Sequence, residues 1–185
     1  EKAIYLNPED AWGLKVYREQ PADHQIQRTL AAYDAFYQAM HDLFTRFAET
    51  HERFVVLDIH SYNHRRAGPD AEPADAHENP EVNVGTGTMQ DRKRWARVID
   101  RFNKDLSSSD YDGGHLDVRE NVKFFGGNFA KWTHENFPES ACVLSVEFKK
   151  FFMDEWSGKL DEDQHGMIQR ALESTIPGIL QSLKR

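Results

Sequence analysis

A chain of 185 residues, 39% hydrophobic and 29% charged, has material for one hydrophobic core rather than two, and a single α/β domain over residues 1–185 is expected. A formal net charge of -8 argues against a nucleic-acid partner, because such binding is driven by clustered Lys and Arg releasing counterions. The single cysteine, Cys142, excludes an internal disulfide and a thiolate zinc site; no apolar run is long enough for a membrane span and no signal-peptide core follows Glu1, so a cytoplasmic location with no membrane partner is expected.

The first 22 residues mix Pro8, Gly13 and Pro21 with isolated apolar residues, which predicts a loop-rich entry with a short strand near Ala3 to Tyr5. Asp23 is placed to cap a long helix. Ile26, Leu30, Tyr33, Tyr37, Met40, Phe44 and Phe47 then recur at spacings of four and three and form one apolar face, read as core against the sheet.

Phe54 to Tyr62, Phe-Val-Val-Leu-Asp-Ile-His-Ser-Tyr, is an apolar, β-branched run of strand length that delivers an acid, a histidine and a hydroxyl at its end. Open α/β sheets carry their chemistry at such strand ends, which makes His60 the leading candidate. Residues 63–84 are rich in Pro, Asp, Glu and His without periodicity and read as a long loop. A short strand over Val82 to Val84, a helix from about Gln90 to Leu106, and Ser/Gly connectors follow. Leu116 to Phe125 reads as a strand broken at Glu120-Asn121, and Asn128 to Phe137 as a short helix capped by Asn128 after Gly126-Gly127. Ala141 to Phe148 is a second buried strand carrying Glu147. The chain closes with a helix over 163–184, kinked at Ile176-Pro177-Gly178.

Helices alternating with apolar strands predict a mixed, mostly parallel sheet flanked by helices. His60 and Glu147 then come from two strand ends on one edge. An imidazole at a strand end can ligate zinc while an acid such as Asp58, two residues back on the same face, fixes its tautomer. A glutamate in the same cleft can take a proton from water and pass it to a leaving amine. Glu147 interrupts the apolar Val143-Leu144-Ser145-Val146, where an unpartnered carboxylate would cost several kcal/mol. His24, His51, His77 and His134 lack ligand spacing and are read as surface residues.

Leu57-Asp58-Ile59-His60-Ser61-Tyr62 resembles the segment that supplies the last zinc-binding histidine of zinc carboxypeptidases. The chain more closely resembles the related N-formylglutamate amidohydrolases, through Tyr17-Arg18 before a long helix, the Asp-x-His-Ser strand end, Pro80 to Thr86, Gly126-Gly127, Leu144-Ser145-Val146-Glu147 and Phe152-Met153-Asp154-Glu155. The resemblance runs from about residue 15 to the end. It implies a phosphorylase/hydrolase-like α/β fold, a zinc cofactor with His60 as ligand, and Glu147 as acid/base. It also implies hydrolysis of an N-formyl or N-acyl amino acid, a small-molecule substrate whose carboxylate Lys131, Arg18 or Asn128 would position. A zinc carboxypeptidase-type peptidase and a non-catalytic binding domain with an incomplete metal site are the alternatives. The family's earlier histidine and carboxylate ligands have no match here, so an N-terminal portion is expected to be missing. Lys131 stands where the family commonly carries an Arg, and Arg grips a carboxylate bidentately where Lys acts as a point charge.

Overall fold

The computed structural model describes residues 3–11 and 13–184, and its contacts divide into two compact units, Glu1–His51 and Glu52–Arg185. In the first, Pro8–Ala11 form a single 3-10 turn, and Asp23–His51 form helix α1. The strand expected near Ala3 to Tyr5 is replaced by a bend and extended chain. Asp23 is the first helical residue rather than the cap: Gln25 Oε1 accepts the Ala22 N–H at 2.9 Å, the reciprocal half of a capping box. Within α1 only Phe44 is buried, and Ile26, Leu30, Tyr33, Tyr37 and Met40 are half-buried along the predicted face. Phe47, one turn beyond Phe44, is exposed. The helix stops at His51, and Glu52 takes a left-handed φ of 60°.

The second unit is built on a four-stranded sheet. Its strands are β1 (Phe54–Tyr62), β2 (Val82–Gly85), β5 (Val118–Glu120) and β6 (Ala141–Lys149), in the order β1-β6-β2-β5. Pairs β1/β6 and β2/β5 are parallel and β2/β6 is antiparallel, so the sheet is mixed and mostly parallel, as expected. Between β2 and β5 lie helix α2 (Ala96–Ser108), entered through a 3-10 turn at Arg92–Trp95, and a hairpin of β3 (Asp110–Tyr111) and β4 (Gly114–His115). Helix α3 (Asn128–Asn136) precedes β6, and α4 (Glu162–Leu183) closes the unit.

Alternation along the strands decides what faces what. Cys142, Leu144, Val146 and Phe148 of β6 and Val82 and Val84 of β2 join Val98, Ile99, Phe102 and Leu106 of α2 and Ile168, Ala171 and Ile179 of α4 in one core. Phe102, Ile99 and Leu106 are fully buried, each contributing about 1.5–3 kcal/mol by area. The opposite face carries Asp58 and His60, Ser145 and Glu147, and Asn83 and Gly85, which is where polar residues collect.

Three expected elements differ. The strand expected over Leu116 to Phe125 breaks at Glu120-Asn121 as its pattern indicates but does not resume, because Asn121 adopts a left-handed φ of 54° and its side chain turns back to Thr86. The expected connector after α2 holds the hairpin β3/β4, whose two-residue turn Asp112-Gly113 has both residues at positive φ. The closing helix runs unbroken through Pro177. The long loop between β1 and β2 is tied down: Glu155 Oε1 accepts the N–H groups of His64 and Arg65, and Arg119 donates to the carbonyls of Ala76 and His77.

Candidate active site

The parallel register of β1 and β6 pairs Asp58 with Ser145, His60 with Glu147 and Tyr62 with Lys149. Because paired residues in a sheet point to the same side, the acid and imidazole of β1 lie beside the hydroxyl and acid of β6, near the carboxyl ends of both strands. His60 Nε2 lies 2.8 Å from Asp58 Oδ1, and Ser145 Oγ donates to Asp58 Oδ2 at 3.4 Å. The Asp58 side chain is 15% exposed and that of His60 is 50% exposed, so the carboxylate is sheltered and the ring reaches solvent. Burial pushes the Glu147 carboxyl up from its ordinary value; His60 pulls it down and Asp58 pushes it further up. A carboxyl so placed holds a proton more readily than a free one and can exchange it with a neighbour.

The antiparallel partner β2 completes the row. Asn83 is the register partner of Glu147 and is fully buried. Its Oδ1 accepts the N–H groups of Val122, Lys123 and Phe124 at 3.0, 2.8 and 3.3 Å, and its Nδ2 donates to the Phe124 carbonyl at 2.7 Å. The segment is therefore strapped to the strand next to Glu147. Gly85, the partner of Ser145, has no room for a side chain, since a Cβ there would come within 2.6 Å of the Gly126 nitrogen. Asn83 and Gly85 were not singled out from the sequence; only the pairing of β2 with β6 gives them their neighbours.

The other expected site residues are placed differently. Asn128 is the first residue of α3, and Gly127 is the cap. Lys131 is 64% exposed and lies 3.9 Å from Glu135 on its own helix. Arg18, in the first unit, lines a cavity of about 370 Å³ with Lys15, Tyr17 and Gln20. Tyr62 donates its hydroxyl to the Pro80 carbonyl and so anchors the end of the long loop. His134, expected at the surface, is buried: its Nε2 accepts the Val143 N–H at 3.0 Å and its Nδ1 lies 2.9 Å from Thr88 Oγ1. On the side away from β1 the sheet has no strand beside Val143, since β2 pairs with β6 only from Ser145 to Phe148, and the imidazole satisfies the orphaned N–H instead.

Among the described residues, no three His, Cys, Asp or Glu side chains converge as a metal ion requires. His60 brings one imidazole, already engaged with Asp58, so the donors present do not by themselves make a zinc site.

The model of the N-formylglutamate amidohydrolase family matches residues 3–152. The chain belongs to the N-formylglutamate amidohydrolase family. No curated protein matches it. Its fold is similar to the crystal structure of N-formylglutamate amidohydrolase from Ralstonia eutropha JMP134, with a TM-score of 0.62 at 16% identity over 90% of this chain. The chain spans 56% of the length of that protein.

Proposed function

We propose that this chain acts in the hydrolysis of the amide of an N-formyl or other N-acyl amino acid, with Glu147 as acid/base. The observation that carries the reading is the pairing of Glu147 with His60 on adjacent parallel strands, in a setting that raises the affinity of the carboxyl for a proton. Glu147 would take a proton from the attacking water and deliver it to the leaving nitrogen. Asp58 would hold the orientation of His60, and Asn83 the wall beside Glu147.

Zinc is part of the proposal, with His60 as one ligand; a bound zinc ion would polarise the acyl oxygen and lower the pKa of water. The described residues do not complete its ligand set. The substrate's amino-acid part belongs to the same proposal, supported by the family match.

The test is formate release from N-formyl-L-glutamate, followed for the unaltered chain and for Glu147→Gln. Loss of a positioned acid/base lowers the rate by about 100-fold or more. Turnover that survives Glu147→Gln would sink the assignment, and unaltered protein that releases no formate while hydrolysing another N-acyl amino acid would reassign the acyl group.

A further inference from the structure

Strand β1 stands at one end of the sheet, and β6 is the strand that pairs with it. Its even-numbered residues bond that neighbour: the Phe54 N–H donates to the Ser140 carbonyl at 2.8 Å, and the Tyr62 carbonyl accepts the Lys150 N–H at 3.0 Å. The N–H and C=O groups of Val55, Leu57, Ile59 and Ser61 therefore point away from the sheet, and they have no partner among the described residues. On so apolar a strand such groups are normally paired. The opposite edge is managed differently, since β5 is only three residues long. β1 has nine residues, no Lys, no Pro and a register with β6 that no bulge interrupts, so nothing in it discourages a further strand.

Apolar side chains continue from this edge onto α4. Gly178 lies against Arg101 and Asp105 of α2, so the side of α4 that carries Ala171, Thr175 and Gly178 is the one turned to α2. Leu172, Ile176 and Leu180, spaced by four, form a stripe on the side away from it. Ile176 and Leu180 are exposed, and so is Ile59 of β1. Leu172 and Ile59 line one cavity of about 500 Å³ together with Phe148, Phe152 and Ile168, which joins the helix stripe to the strand edge. None of Val55, Leu57, Ile59, Leu172, Ile176 and Leu180 is charged, so the net charge of -8 is carried elsewhere.

We infer that this edge is the interface of a homodimer, in which β1 pairs antiparallel with β1 of a second copy about a two-fold axis. The side chains favour that occupant. With the axis at Leu57, the outward-facing odd residues meet as hydrogen-bonded pairs, Leu57 with Leu57 and Val55 with Ile59, so the ladder on the helix side is apolar throughout. Centring on Asp58 would set two acids opposite each other, and centring on Ile59 would pair Leu57 with Ser61. Paired residues share a face, so both α4 helices lie on one side of the joined sheet and bring their apolar stripes towards the axis. An edge about 30 Å long and about 20 Å deep, one strand and one helix layer, covers on the order of 600 Å² per copy, which reaches the lower limit of a stable interface.

Sedimentation velocity of the full chain from about 1 to about 100 µM measures the association. A species of twice the 21.5 kDa chain mass is expected. Hydrogen exchange at about 100 µM locates it: the amides of Val55, Leu57 and Ile59 are expected to be protected along with those of the even residues, which β6 holds in either state. The double variant Ile59→Lys/Ile176→Lys, changed at exposed positions and its fold verified by circular dichroism, is expected to associate at least about 100-fold more weakly and to lose protection at those three amides. A monomer at the highest concentration, a dimer whose three odd amides exchange freely, or a mass that climbs past the dimer would each overturn the inference. Undiminished association of the double variant would do the same. Protection of the three amides in a monomer would put a different strand on this edge and likewise overturn the homodimer.

Discussion

The Nε2 of His134 accepts the backbone N–H of Val143 across 3.0 Å, so a helix side chain stands in for the missing neighbour of β6. That bond requires an unprotonated Nε2, and burial pushes the His134 imidazole down to about 4. The folded state thus binds fewer protons at this site than the unfolded chain, whose histidine has an ordinary pKa of 6.5. The contribution to stability is present above about pH 6.5 and is lost as pH falls towards 4, and it is on the order of 3 kcal/mol. Urea midpoints measured from pH 7 to pH 4 should fall more steeply in the unaltered protein than in His134→Asn. Equal slopes would mean that the ring is protonated in the folded state or that the bond to Val143 is absent.

Asn83→Ala would leave three backbone N–H groups, those of Val122, Lys123 and Phe124, without their acceptor. Unsatisfied buried donors cost about 1–3 kcal/mol each, and partial hydration of the loosened segment brings the expected loss to about 3 kcal/mol. Hydrogen exchange reports this residue by residue: protection at those three amides should fall together, with the β6 amides changed far less. Protection retained at all three would refute the strap.

Gly85→Ala meets backbone rather than a flexible side chain, since the new Cβ would sit 2.6 Å from Gly126 nitrogen and 2.9 Å from the Phe125 carbonyl carbon. A destabilisation of about 1–3 kcal/mol is expected, with displacement of the Phe125-Gly126 turn from Ser145. Thermal unfolding at neutral pH decides the matter; a melting temperature equal to that of the unaltered protein would show that the turn can move freely.

Pro177 lies inside α4 at an exposed position and removes one backbone hydrogen bond without ending the helix. Replacement by Ala restores the N–H and relieves the ring's clash with the preceding turn, so Pro177→Ala should stabilise by about 1–3 kcal/mol. Denaturant titration measures it, and a loss of stability would show that the ring itself is part of the packing.

Much of the architecture was legible because it depends on local pattern. The apolar runs at Phe54 and Ala141, the period of three and four through residues 26–44, and the Gly126-Gly127 punctuation each belong to one element. The places where the reading failed involve a partner from elsewhere in the chain. Leu116 to Phe125 alternates like a strand and its break at Glu120-Asn121 was legible, yet nothing resumes as strand after it, because Asn121 is drawn into a turn by Thr86, 35 residues away. Pro177 signals a break, yet buried Thr175, Gly178 and Ile179 on either side of it are packed in place and the helix continues. His134 has no spacing that marks it as special, and its burial follows from where β2 stops pairing.

The sequence by itself determined that strands would end in Asp58-x-His60 and in Glu147, because side-chain periodicity decides which residues share a face within one element. It could not determine which strands are neighbours, since pairing depends on hydrogen bonds between segments 87 residues apart in the case of His60 and Glu147. Only the tertiary structure set β1 beside β6 and then inserted β2 antiparallel on the far side. That order turned three separate polar residues, His60, Glu147 and Asn83, into one row across the sheet.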